Sequence, residues 1–134
     1  MTEQILDMSA EKIAEGVGSR KLSASEVASA FIKRIEEVNP VINAICTLND
    51  TILEEARAID ERLASGGKPR PLEGVPFLIK DILQTKGVRT TFGSLLLEND
   101  VPDEDTISVE RLKAAGGILS VSYTHLRAHE TYPH

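Results

Sequence analysis

The residue best placed to do chemistry in this sequence is a lysine. Lys80 directly follows Val75-Pro76-Phe77-Leu78-Ile79, a nearly all-apolar run. An ammonium group at the end of such a run loses hydration, which favours the neutral amine, and a neutral amine can accept a proton as a general base. The ordinary fate of a lysine is different: its long stem lies on apolar surface while the charge stays in water. The local pattern leaves both readings open. Asp81, next in the chain, reads as a supporting or strand-capping carboxylate.

Three other candidates are weaker. Ser94 sits beside Gly93 in a Gly/Thr-rich stretch, which invites a nucleophile reading, but the setting is that of a turn and its role is read as backbone support. Cys46 is the single cysteine, so no internal disulfide can form, and it is read as a small buried hydrophobe. His125 and His129 are four apart with Glu130 adjacent, so a helix would put both imidazoles on one face. The order is not the His-Glu-x-x-His of zinc proteases, and a closed site needs further ligands. No metal and no cofactor is assigned.

These residues need elements to hold them. Ser9 to Val17 predicts a short helix with Ile13 and Val17 on one face. Ser23-Ala24-Ser25-Glu26 is a capping box, in which the serine hydroxyl takes an orphan amide and the glutamate reaches back. The helix it starts carries Val27, Ala30, Phe31, Arg34, Ile35 and Val38 on a stripe and is expected to stop at Asn39-Pro40. Val41 to Leu48 reads as extended, and Asn49 or Asp50 as the cap of a further helix bearing Ile52, Leu53, Ala56, Ile59 and Leu63. Ser65-Gly66-Gly67-Lys68-Pro69 ends that helix.

From there the texture changes. Val75 to Ile79 predicts a strand buried on both faces, with Pro76 at its start. Thr85 to Ser94 is loop with room for a brief strand. A helix follows over about Thr106 to Ala115, with Val109 and Leu112 inward and Gly116-Gly117 as its stop, and Ile118 begins another strand. Strand, helical crossover, strand defines the fold class as α/β. The chain divides into a helical segment over 1–70, the start of an α/β core over 71–121, and a tail over 122–134.

Composition excludes several functions. The 134 residues carry 15 Lys and Arg against 21 Asp and Glu, a formal charge of -6, which argues against wrapping nucleic acid, where clustered cations must displace counterions. No run approaches the roughly 18 apolar residues of a membrane span. Met1 to Lys12 mixes acids with apolars and has no secretory pattern, so the expected address is cytoplasmic.

Leu72-x-Gly74-Val75-Pro76-x-x-x-Lys80-Asp81, followed by Thr85-x-Gly87-x-x-Thr90-Thr91-x-Gly93-Ser94, resembles the front half of the amidase-signature family. Asp105-x-x-x-Val109-x-Arg111-Leu112-Lys113-Ala114-Ala115-Gly116-Gly117-Ile118 resembles the helix and strand that follow there, with Gly117 where alanine is more usual. The likeness runs from about Leu22 to Leu119 and is strongest from Leu72. It implies the N-terminal portion of that fold, a helical layer plus the first strands of a mixed sheet. It also implies hydrolysis of small carboxamides by a Ser-cisSer-Lys triad without a cofactor, and it puts Lys80 at the lysine position. The front half of the glutamyl-tRNA amidotransferase A-subunit is similar too.

The chain also departs from that pattern. The Gly/Ser-rich segment that holds the two catalytic serines has no counterpart in these residues. After Leu119 the family continues roughly Gly-Lys-Thr-Asn, whereas here both tyrosines and all three histidines fall after Val121. The string from Ser122 to Thr131 looks like translated adaptor or assembly sequence, so the tail is read as artefactual or disordered. The expectation is therefore a truncated amidase, inactive by itself and marginally stable. The rival reading is a non-enzymatic interaction module that self-associates through an exposed sheet edge.

Overall fold

The computed structural model describes residues 2–123. A short helix, α1 (Thr2–Leu6), precedes α2 (Ala10–Gly18), which begins where Ser9 accepts a hydrogen bond from the Lys12 amide. The expected capping box opens α3 (Ala24–Ile42): the Ser23 hydroxyl accepts from the Glu26 amide and the Glu26 carboxylate accepts from the Ser23 amide, each at 3.0 Å. A second acid reinforces this end. Asp60, from the neighbouring helix, accepts from the Ala24 amide at 2.7 Å and from the Ser25 amide and hydroxyl at 3.1 and 2.6 Å, which places negative charge on the positive end of the α3 dipole.

The predicted stop at Asn39-Pro40 is overridden. Pro40 lies inside α3, and the helix ends shortly after it, where Asn43 takes the left-handed conformation and its amide donates to the Asn39 carbonyl. The turn that follows is fixed by Asn39. The Asn39 side chain pairs twice with the backbone of Ile45, accepting from its amide at 2.8 Å and donating to its carbonyl at 3.2 Å. That fixes the start of β1 (Ile45–Leu48), which is shorter than the extended stretch expected from Val41 onward.

Helix α4 (Ile52–Ala64) starts at Thr51, not with Asn49 or Asp50 as the cap. Asn49 acts from further back: its side-chain oxygen accepts from the Thr51 amide and hydroxyl, and its amide group donates to the Leu119 carbonyl at 2.8 Å. The remaining elements are β2 (Pro76–Lys80), a 3₁₀ turn at Leu95–Leu97, α5 (Ile107–Ala114) and β3 (Ile118–Tyr123). The last strand thus runs through Ser122 and Tyr123, two residues into the segment that the sequence sets apart as tail.

The sheet is mixed, with order β1-β3-β2. Strand β3 pairs antiparallel with β1, Leu48 opposite Val121, and parallel with β2, Pro76 opposite Ile118 and Lys80 opposite Tyr123. Being central, β3 is buried on both faces. Ile118 joins the core made with α2, α3 and α4, including Val17, Val27, Ala56 and Leu63, while Leu119 packs on the other side with Ile79, Val88 and Val109. Each such aliphatic side chain contributes about 1.5–3 kcal/mol on burial. The expectation of two buried faces fails for β2: Ile79 is buried and packs with Val109 of α5, whereas Leu78, between Phe77 and Ile79, is 54% exposed.

The turn between α5 and β3 is built on close approach. Gly116 has φ +101°, and a Cβ there would lie 2.9 Å from the Glu73 Cα. Absence of a side chain lets Gly74 N donate to Gly116 O and Leu72 N to Ala115 O, which joins the entry to β2 to the entry to β3.

Candidate functional site

Lys80 is the last residue of β2, half-buried, directly across the sheet from Tyr123. Among the described residues its Nζ has no hydrogen-bond or ion-pair partner, while its carbonyl accepts from Leu83 N in the turn that follows.

The adjacent Asp81 is used quite differently. It is only 3% exposed, and its carboxylate accepts from the Thr91 amide at 2.8 Å, from the Thr91 hydroxyl, and from the Ser122 hydroxyl at 3.2 Å. Its own amide donates to the Tyr123 carbonyl and its carbonyl accepts from the Phe92 amide. One residue therefore ties together the ends of β2 and β3 and the loop at Thr91-Phe92. Because a strand alternates its side chains, the carboxylate and the lysine stem leave opposite sides of the chain, and the acid is engaged with hydroxyl and amide donors instead of with the ammonium.

The loop after Asp81 is held along its length. Lys86 N donates to the Asp105 carboxylate, Thr90 N to Asp100 O and Thr106 N to Gln84 O. Arg89 straps it to the far strand: its guanidinium donates to the Thr47 hydroxyl at 3.2 Å, the Cys46 carbonyl at 3.1 Å and the Glu98 carbonyl at 2.7 Å. Phe92 sits at φ +54°, a left-handed turn residue made tolerable by the anchors on either side. The brief strand allowed for in this loop is a single bridge between Thr85 and Val88.

A buried acid supports the start of β2. Glu73 is fully enclosed, between Arg70, which reaches it at 2.9 Å, and Arg62. Burial alone would push its carboxyl up; the hydrogen bonds from Arg70 and Arg62 outweigh that and hold it below its ordinary value of 4.5.

The other candidates behave as supports. The Ser94 hydroxyl accepts from the Leu96 amide and caps the 3₁₀ turn. Cys46 is half-buried, with its thiol donating to the Ser122 carbonyl at 3.3 Å, so it is less enclosed than the sequence suggests. Ser122 is buried with its hydroxyl committed to Asp81. His125, His129 and Glu130 lie outside the described residues. Among the described residues no group of three or more His, Cys, Asp or Glu is arranged to hold a metal, and no helix is long and apolar enough to cross a membrane.

Sequence reasoning finds Lys80 and Asp81 but misses Ser122, Arg89 and Glu73. Ser122 falls in the segment that composition sets apart as tail. Arg89 and Glu73 carry a weak signal at most, since nothing in residue type alone separates a buried, paired charge from a solvated one.

The geometry defines an α/β unit in which a lysine with no charge partner among the described residues ends a strand beside a hydrogen-bonded loop. The Amidase family profile matches residues 26–126, three-quarters of the sequence, and the chain belongs to the amidase family. Over 83% of its length it is 48% identical to a Bdellovibrio bacteriovorus protein, the A-subunit of glutamyl-tRNA(Gln) amidotransferase. It is 39% identical, over 89% of its length, to an acylamidase of Rhodococcus erythropolis. The native peptide amidase of Stenotrophomonas maltophilia superposes on 87% of the chain with a TM-score of 0.81 at 28% identity. The chain spans about a quarter of each of these proteins: 23%, 24% and 24% respectively.

Proposed function

We propose that Lys80 is the proton-accepting residue of an amide-hydrolase site of the Ser-cisSer-Lys type, acting on a small carboxamide in the cytoplasm. In such a site the lysine takes a proton through a relay serine from the serine that forms the acyl-enzyme. The observation that carries this reading is the position of Lys80: it ends β2 within the family match, with its Nζ free of partners among the described residues.

No Gly/Ser-rich segment able to supply the two serines occurs in the 134 residues. A base with no hydroxyl to deprotonate contributes no acyl transfer, so this chain alone is a truncated amidase without activity. Its purified form should release no product from simple amides and anilides above the buffer rate. Turnover that disappears in Lys80→Ala would overturn the inactivity and establish the base. Sequencing the source DNA across the codons for residues 119–131 tests the truncation: a frame that continues into Gly-Lys-Thr-Asn and a Gly/Ser-rich stretch restores a full amidase.

A second reading, the front part of an amidotransferase A-subunit, is favoured by the 48% identity to such a protein. The amide donor would then be processed inside a complex of several chains. The third, a non-enzymatic module that self-associates through β2, draws on Leu78, exposed on that edge strand. Sedimentation tests it, and a monomer at high concentration ends it.

A further inference from the structure

Of the seven lysines, five are exposed, Lys113 is half-buried and paired with Asp105 at 3.1 Å, and Lys80 is half-buried with no partner on its Nζ among the described residues. The placement of that amine must therefore come from its stem and from the main chain that carries it. A group that takes a proton from a hydroxyl needs its position held to within about 0.5 Å, and a misplacement of about 1 Å can cost about 100-fold in rate. The peptide that follows Lys80 is bonded at each polar atom: Lys80 O accepts from Leu83 N at 3.0 Å and Asp81 N donates to Tyr123 O at 3.0 Å. The next carbonyl, Asp81 O, accepts from Phe92 N at 2.9 Å.

The Asp81 carboxylate holds the segment that makes the last of these bonds. It accepts from the Thr91 amide at 2.8 Å and from the Thr91 hydroxyl, while the Ser122 hydroxyl reaches it from β3 at 3.2 Å. Phe92, gripped between Thr91 and Asp81 O, takes φ +54°, a conformation that a residue other than glycine keeps only where its surroundings over-determine it. We propose that Asp81 is the positioning residue of Lys80: through Thr91 and Ser122 it fixes the main chain from which the lysine stem leaves, and so sets where the Nζ lies. It acts by geometry and not by charge, since the carboxylate and the stem leave opposite sides of the chain. Asparagine can keep that geometry, with Oδ1 accepting from the Thr91 amide and the Ser122 hydroxyl and Nδ2 donating to the Thr91 hydroxyl. The inference deepens the reading of Lys80 as the base and rests on it for its consequence in catalysis.

The test follows the Lys80 side-chain NMR signal in the full 134-residue chain grown with isotope-labelled lysine, identified by its loss in Lys80→Arg. Relaxation, recorded well below the unfolding midpoint, reads the order of the Cε–H bonds. Asp81→Ala should lower the Lys80 order parameter at least about two-fold. Thr91→Val, which removes one donor, should lower it less, and Asp81→Asn should keep the native value. Lys113, held by Asp105, and the exposed Lys33 are references expected not to change. If Asp81 serves stability alone, its loss lowers the midpoint and leaves Lys80 of the folded protein as ordered as before, and that result overturns the proposal. So does an Asp81→Asn variant that behaves like Asp81→Ala, because it puts the effect in the charge. Should Asp81→Ala not fold, Thr91→Val against Thr91→Ser carries the same comparison. Failure of the base reading is seen in the turnover of Lys80→Ala and leaves these signals as they are, so the two failures are told apart.

Discussion

The Ser122 hydroxyl donates to the Asp81 carboxylate at 3.2 Å across the boundary between two parallel strands, joining residues 41 apart in sequence. With the two donors of Thr91, it leaves the carboxylate fully engaged in a buried setting.

Removing that acid should be costly. Asp81→Ala leaves three donors unsatisfied and is expected to destabilise the chain by about 3 kcal/mol, whereas Ser122→Ala should cost about 1 kcal/mol. Urea unfolding of both single variants and the double variant measures the coupling, expected at about 1 kcal/mol. Strictly additive effects would show that the Ser122 bond contributes nothing.

Lys80 should behave in the opposite way. Having no polar partner among the described residues, it can be changed to Ala or Met at a cost of less than about 1 kcal/mol. A large loss of stability in a thermal melt would mean that the amine is a structural contact and weaken its assignment as a base.

For Glu73 the pH dependence has a definite sign. Its folded carboxyl is held below its ordinary value of 4.5 by Arg70 and Arg62 against the effect of burial. The unfolded chain therefore binds more protons there. The stability it contributes is complete above the unfolded carboxyl's range and is lost as pH falls through the folded value. Glu73→Gln should cost about 3 kcal/mol at pH ~7, the low end for breaking a buried pair because both arginine side chains are partly exposed, and should flatten the acid limb of the stability profile. An acid limb identical in the two proteins would assign the pH response to other carboxylates.

Much of this is readable in the sequence. The capping box at Ser23, the stop at Gly116-Gly117 and the strand leading to Lys80 are local signals, set by neighbours three or four residues away. The misread boundaries lie where a side chain bonds beyond its own turn: Asn39 holds Ile45 six residues on, just past the end of α3, and Asn49 reaches Leu119 across the fold while α4 starts after Thr51. The site divides along the same line. Lys80 and Asp81 stand next to a legible strand, whereas Ser122 and Arg89 owe their importance to partners far along the chain, and Glu73 joins its near neighbour Arg70 to the more distant Arg62.

Gly116 gives a stringent check on the packing between the entries to β2 and β3. Alanine there would need φ near +101° and would press on the Glu73 backbone, so Gly116→Ala should lower stability by at least about 2 kcal/mol in a denaturant titration. A neutral result would show that the two entry segments separate easily.

The order β1-β3-β2 also bears on how the chain reaches this structure. The two outer strands meet only through the central one, and the central one comes after both in sequence. The pairing of α3 with α4 closes short loops and can form early, but this sheet cannot assemble until residues 118–123 have left the ribosome. Sheet formation is thus a single late event with long-range closure on both sides, so slow folding and exposure to aggregation concentrate in the interval before β3 arrives.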